Sequence, residues 1–287
     1  MYQLFCDSNC ELWYTTVKEL GLNVIRMPYT LAGQEYFYDM GEKTDLIAFF
    51  DAMKGGEVPK TSALNEEIYI EYFEPVLKKG EDIFYVTFSH AMSKTFDAMD
   101  RAIKTLKEKY PDREIRSVDT RSISMGCGFV VYYAALRYKE GATMDELEAY
   151  VKELSAHTAT YFAVEDLTYL YRGGRVSGVS KVFGNLLNIK PVLHFDDEGR
   201  IVNIAKEKGF RRALSSMLGY MKAKGQDVDK YKIIVIHADY KEVAERFVES
   251  IKAEYPAADV VLQYVGPVIG AHCGPGTVGL IFHCSER

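Results

Sequence analysis

The groups in this 287-residue chain best suited to hold an anion are hydroxyls beside helix starts and one late histidine. Three stretches carry them. In Pro59-Lys60-Thr61-Ser62-Ala63-Leu64-Asn65-Glu66-Glu67, Asn65 is a good N-cap and the paired glutamates suit the positive end of a helix, which leaves Thr61 and Ser62 without a local task. In Phe88-Ser89-His90-Ala91-Met92-Ser93-Lys94-Thr95 a buried strand hands over to an amphipathic helix, where backbone N–H groups and neighbouring hydroxyls together form an anion site. The third stretch, Gly266 to Thr277, is dense in glycine and proline and contains His272, whose ring can donate to a carboxylate. Taken singly, each has a structural reading first, because serine and threonine at helix starts are usually caps. The Arg172-Gly173-Gly174-Arg175 segment is by default a solvated turn, although its arginines could also meet an anion.

Other chemistries find little support. There is no G-x-S-x-G turn, no phosphate-binding G-x-x-x-x-G-K-[ST] loop and no H-E-x-x-H helix. The run Gly274-Pro275-Gly276-Thr277-Val278-Gly279 matches G-x-G-x-x-G by letter, but too few residues follow it to build a βαβ unit. Ser93 with His272 as base would make an esterase or acyl transferase, an alternative that lacks both the nucleophile turn and an orienting acid. A binder of a non-lipid small carboxylic acid, recognised by His90 and Lys94, is a further alternative. Five scattered cysteines without a C-x-x-C pair suggest neither disulfides nor a metal site, and a reducing cytoplasm is the simplest setting. The net charge of -6 gives no reason to expect nucleic acid, and no run of about 18 apolar residues is available to span a membrane. Residues 1–10 lack a basic segment followed by an apolar one, so no secretion signal is expected.

The elements that must position these groups follow from periodicity. Short apolar runs at residues 2–6, 23–27, 83–88 and 115–118 alternate with amphipathic segments, the pattern of strands and crossover helices in a mostly parallel sheet. Phe96, Met99, Ile103, Leu106 and Tyr110 mark one helix, stopped by Pro111. Residues 124–139 form a helix that is apolar around most of its circumference. The next helix starts with a capping box, Thr143 to Glu146. Beyond His157 the texture changes to a strand at 160–164, a hairpin signal at Asp196-Asp197-Glu198-Gly199, helices at 211–224 and 241–254, and strands at 232–238, 260–264 and 278–283. The expectation is an α/β protein of two domains, residues 1–157 an N-terminal α/β sandwich and residues 158–287 a C-terminal α+β domain.

In order along nearly the whole chain, these segments resemble the DegV family. Asp7-Ser8 with Glu11-Leu12 is similar to the family's D-S-x-x-D-L opening, Thr61-Ser62 to its T-S-x-P-S element, and Ser89 to Thr95 to its S-S-G-L-S-G-T element. Asp119 to Gly126 resembles D-S-x-x-x-S-M-G, Tyr169 to Arg175 resembles Y-L-x-x-G-G-R, and Gly266 to Gly276 resembles G-P-x-I-G-x-H-x-G-P-G. The resemblance implies a two-domain, non-catalytic protein that binds a long-chain fatty acid between its domains and no other cofactor. It also implies a partner, an ATP-dependent fatty acid kinase that phosphorylates the bound carboxylate for phospholipid synthesis. In this pattern Thr61, Ser93 and His272 hold the carboxylate, with Ser62, Lys208 and Arg211 as candidate neighbours. His90 and Lys94 stand where the family has glycines, which bears on chain length, head-group preference or kinase docking. Candidate lining for the acyl tail is the face of residues 129–136 and the segment with Val182, Phe183, Leu186 and Leu187.

Overall fold

In the computed structural model, which describes residues 1–176 and 188–287, the alternation of apolar runs and amphipathic segments becomes a strand–helix series. The chain opens with β1 (Tyr2–Asp7), α1 (Tyr14–Leu20), β2 (Asn23–Ile25), β3 (Pro28–Leu31) and β4 (Gln34–Phe37). It continues with α2 (Leu46–Lys54), β5 (Lys60–Thr61), α3 (Glu66–Leu77), β6 (Asp82–Thr87), α4 (Thr95–Lys109), β7 (Ile115–Asp119), α5 (Met125–Lys139) and α6 (Met144–Ala156). The later elements are β8 (Thr158–Ala163), α7 (Thr168–Gly173), β9 (Ile189–Phe195), β10 (Ile201–Lys208), α8 (Phe210–Lys224), β11 (Ile233–Ala238), α9 (Lys241–Glu254), β12 (Val260–Tyr264), α10 (Pro267–Cys273) and β13 (Thr277–His283). Two units result. One comprises Met1–Thr44 with Lys60–Ser155, the other Asp45–Pro59 with Ala156–Arg287.

The first unit is built on a parallel sheet of order β2-β1-β6-β7. Ile83 to Val86 in β6 are fully buried, as expected of a parallel strand covered on both faces. Helix α4 turns Phe96, Met99, Ala102 and Leu106 inward, the stripe that its spacing predicts. Helix α5 buries Phe129, Val130 and Val131 and lies close to the 3-10 turn Ser8–Cys10. Gly128 permits that approach, since a Cβ there would sit 2.2 Å from the Cys10 carbonyl oxygen. The capping box at α6 forms as expected: the Thr143 N–H donates to Glu146 at 2.8 Å and the Glu146 N–H donates to the Thr143 hydroxyl at 3.3 Å. A small antiparallel sheet, β4-β3-β5, was not visible in the sequence pattern.

The second unit carries a six-stranded sheet of order β10-β9-β8-β13-β11-β12, antiparallel except for the β11–β12 pair. Its core gathers Tyr161, Met217, Met221, Phe247 and Phe282. Whereas the sequence reading assigns residues 45–59 to the N-terminal domain, α2 belongs to this unit. The physical reason is packing: α2 presents Phe49 and Phe50 to α10, and Gly270 leaves the space, a Cβ there meeting Phe50 at 2.7 Å. Lys54 at the end of α2 also pairs with Asp239 at 2.7 Å. Among the described residues, no helix is long and apolar enough to cross a membrane.

Candidate functional site

In the first unit the candidate hydroxyls sit on two adjoining segments. Thr61 ends the short strand β5, paired with Tyr29 of β3, and Ser62 follows it on the surface. The chain then enters α3 through Asn65, whose side chain accepts the Ile68 N–H at 3.0 Å, so the capping role expected of it is real. Ser93 lies between a 3-10 turn, His90–Met92, and α4 in an extended backbone conformation. Its Oγ accepts the Thr95 N–H at 3.2 Å. A hydroxyl has one proton and two lone pairs, so Ser93 can still donate to an acidic ligand. The two segments are fastened by Thr95, which is buried: its hydroxyl accepts the Leu64 N–H at 3.1 Å and bonds the Tyr69 hydroxyl at 3.0 Å.

His90 is turned onto its own unit. Its Nε2 bonds the Thr87 hydroxyl at 3.0 Å and its ring stacks on Phe96 with centroids 3.9 Å apart. The imidazole nearest Ser93 in sequence is thus engaged with Thr87 rather than poised as a base for Ser93. Lys94 is exposed and makes no capping bond to α4.

Beneath these segments the opening Asp7-Ser8 and the Ser122-to-Gly126 elements act as buried scaffolding. Asp7 accepts the Asn9 N–H at 2.9 Å and the Tyr85 hydroxyl at 2.9 Å. Burial nonetheless pushes its carboxyl up to about 7, against the opposing pull of hydrogen bonds from Tyr85, Asn9 and Phe88. Ser8 Oγ accepts the Met27 N–H at 2.9 Å. Ser124, in the left-handed half of backbone space at φ 55°, donates its hydroxyl to Glu11, itself at φ 55°. Two strained non-glycine residues are therefore bound to each other where α5 begins.

In the second unit His272 lies on α10. The glycine- and proline-rich stretch reads as a loop in sequence, yet it contains this helix, because Pro267 occupies the first turn, where no N–H is missed. Helix α7 packs on α10, and Gly173 at the end of α7 and Gly274 just past α10 each make room for a side chain of the other helix. A Cβ at Gly173 would lie 2.2 Å from His272 Nδ1, and one at Gly274, where φ is +74°, would lie 2.2 Å from the Tyr169 ring. The Arg172-to-Arg175 stretch, read as a turn, thus supplies the end of α7 and the seat of the histidine. Burial first, then the nearby Arg175 charge, lowers the His272 pKa to about 4, so the ring is neutral at physiological pH. Arg175, half-buried and donating to the Gly173 carbonyl, keeps its charge despite desolvation. Nothing in the G-G-R spacing by itself places Arg175 beside His272, where the fold puts it. Lys208, last in β10, and Arg211, in the first turn of α8, are both exposed.

For the acyl tail, the face of residues 129–136 is buried in the first unit, with Phe129, Val130 and Val131 in its core. Val182, Phe183, Leu186 and Leu187 lie outside the described residues. Among the described residues, no group of histidine, cysteine and acidic side chains could hold a metal ion.

The pairing of Tyr169-to-Arg175 with Gly266-to-Gly276 and the tie between the Thr61 and Ser93 segments are the family elements in folded form. A family profile described as "Uncharacterised protein, DegV family" matches residues 1–284. The chain is a member of the DegV family. A DegV domain-containing protein of Clostridium perfringens, CPE0026, is 36% identical over 281 residues, covering 98% of this chain and 97% of that one. Among solved structures, a Bacillus subtilis DegV described as a fatty acid binding protein is 26% identical, with a TM-score of 0.84 and 99% of both chains covered. A Thermus thermophilus DegV family protein, described by its fatty acid binding, shares the fold with a TM-score of 0.87 at 24% identity, again over 99% of both chains. The two-domain α/β architecture expected from the sequence is the DegV fold.

Proposed function

We propose that this DegV protein binds one long-chain fatty acid and presents the carboxylate to an ATP-dependent fatty acid kinase for acyl-phosphate formation. The observation that carries the reading is the end-to-end likeness to the Bacillus subtilis DegV described as a fatty acid binding protein. The chemistry of the residues agrees. A carboxylate withdrawn from water requires converging donors. In this reading Thr61 and Ser93 supply hydroxyl protons and the neutral imidazole of His272 supplies an N–H. Ser62, Lys208 and Arg211 are candidate neighbours, to which Arg175 is added by its place beside His272. The tail provides the affinity, about 0.8 kcal/mol per buried CH₂, or on the order of 10 kcal/mol for about sixteen carbons before ordering costs.

In this reading the protein is a cytoplasmic carrier, not a catalyst, and needs no cofactor besides its ligand. Delipidated full-length chain should bind radiolabelled palmitate at one equivalent, and Thr61→Val, Ser93→Ala and His272→Ala should each weaken binding roughly tenfold or more, the scale of one charge-assisted hydrogen bond. With the cognate kinase and ATP, the wild-type chain should yield acyl phosphate. Wild-type affinity in all three variants would refute the head-group assignment. Steady turnover of a chromogenic acyl ester, abolished by Ser93→Ala, would replace the carrier reading with an acyl hydrolase.

A further inference from the structure

We infer that Thr95 is a positioning residue for the carboxylate site, setting the head-group hydroxyls from behind rather than touching the ligand. The inference rests on the head-group reading above. Thr95 is 1% exposed and is the first residue of α4, a helix whose preceding residue, Lys94, gives it no side-chain cap. Its hydroxyl accepts the Leu64 N–H at 3.1 Å, three residues beyond Thr61, and so fixes the path by which the Thr61-Ser62 segment leaves β5. Its own N–H donates to Ser93 Oγ at 3.2 Å. That bond occupies a lone pair of Ser93 and leaves the serine's proton to point at another acceptor. Residue 95 thus meets both hydroxyl-bearing segments, by its backbone N–H on the Ser93 side and by its hydroxyl on the Leu64 side, and it is the hydroxyl that only threonine or serine supplies.

The third bond, to Tyr69 at 3.0 Å, stops Thr95 from turning away. Tyr69 comes from α3, the helix that begins at the cap just beyond the Thr61 segment, and its ring is fully buried. The hydroxyl rotor of Thr95 is thus held by α3 on one side and by the Leu64 amide on the other. The bond from the Thr95 N–H to Ser93 Oγ also caps the start of α4, but the bonds of the Thr95 hydroxyl to the Leu64 N–H and to Tyr69 reach a different segment and are no part of that cap. Their consequence is geometric: a carboxylate meeting Thr61 and Ser93 finds both donors already placed, with the ordering cost met in the folding of the first unit.

The test compares an acid with an alcohol of the same length. Equilibrium binding of tetradecanoic acid and of tetradecanol, both delivered from cyclodextrin to delipidated full-length chain, is measured for Thr95→Val, Thr95→Ser and Tyr69→Phe, with thermal unfolding of each. The inference predicts that Thr95→Val loses about tenfold in affinity for the acid while affinity for the alcohol stays within about twofold, and that Thr95→Ser restores the acid affinity. Equal losses for acid and alcohol, or no loss, overturn it. Should Thr95→Val fail to fold, Tyr69→Phe decides: a selective loss of about threefold or more for the acid supports the inference and an unchanged acid-to-alcohol ratio overturns it. Ser93→Ala separates this from the underlying reading. If Ser93→Ala leaves the acid-to-alcohol ratio untouched, the head-group assignment fails; if it lowers the ratio but the Thr95 variants do not, only the positioning role fails.

Discussion

Replacing Asp7 by asparagine should flatten the dependence of stability on pH. The Asp7 carboxyl is wholly buried, and its pKa rises from an ordinary 3.8 to about 7 chiefly through desolvation. In the unfolded chain the group ionises near its ordinary value. Between these limits the folded state holds a proton that the unfolded state has lost, so stability falls as pH rises through the window and levels off above about 7. Each pH unit is worth about 1.4 kcal/mol, which gives roughly 3 kcal/mol lost between pH 5 and pH 7 and on the order of 4 over the whole window. The amide of the Asp7→Asn variant has no such proton to release. Urea unfolding of wild type and Asp7→Asn at pH 5, 6, 7 and 8, read as midpoint times slope, isolates the effect because every other titrating group is shared. The wild-type advantage over the variant should shrink by roughly 3 kcal/mol across that range. Parallel curves would mean that the donors Tyr85, Asn9 and Phe88 fully offset desolvation and that the carboxylate is ionised throughout.

Three further outcomes follow from the geometry. Gly173→Ala drives a methyl to 2.2 Å from His272 Nδ1 and should cost about 1–3 kcal/mol of stability as well as fatty acid binding, measured by thermal unfolding and titration with palmitate. Asn65→Ala removes the acceptor of the Ile68 N–H and should cost about 1 kcal/mol in urea unfolding without shifting the slope. His272, lowered to about 4 from 6.5, disfavours the folded state progressively as pH falls through that interval, and a carboxylate beside it should raise its pKa again. Palmitate binding near pH 5.5 should therefore take up protons, detected by calorimetry in buffers of different ionisation enthalpy, and His272→Gln should abolish that uptake.

Where chemistry is local, the sequence was informative. Asn65, the Thr143–Glu146 box and the Asp196-to-Gly199 hairpin are set by side chains a few residues apart, and each forms as spacing predicts. The stripe of α4 and the apolar circumference of α5 were equally plain. Non-local pairing was not. The β3–β5 contact joins Tyr29 to Thr61, and nothing in either segment names the other. The same holds for α2, whose assignment to the second unit depends on Gly270 leaving room for Phe50. The glycine-rich elements misled in a specific way: Gly173 and Gly274 look like loop residues, but they serve as seats for His272 and Tyr169 where α7 meets α10. The expectation that Thr61, Ser93 and His272 hold the carboxylate comes from resemblance to a family pattern, whereas the tie through Thr95 and the placement of Arg175 beside His272 required coordinates.

The most direct measurement is the lipid content of the protein as it is made. Full-length chain purified without added lipid, extracted under denaturing conditions and examined by mass spectrometry, should release about one equivalent of a long-chain fatty acid, and the Ser93→Ala chain should release much less. A wild-type chain that carries no fatty acid and takes up neither palmitate nor oleate when offered them would contradict the account.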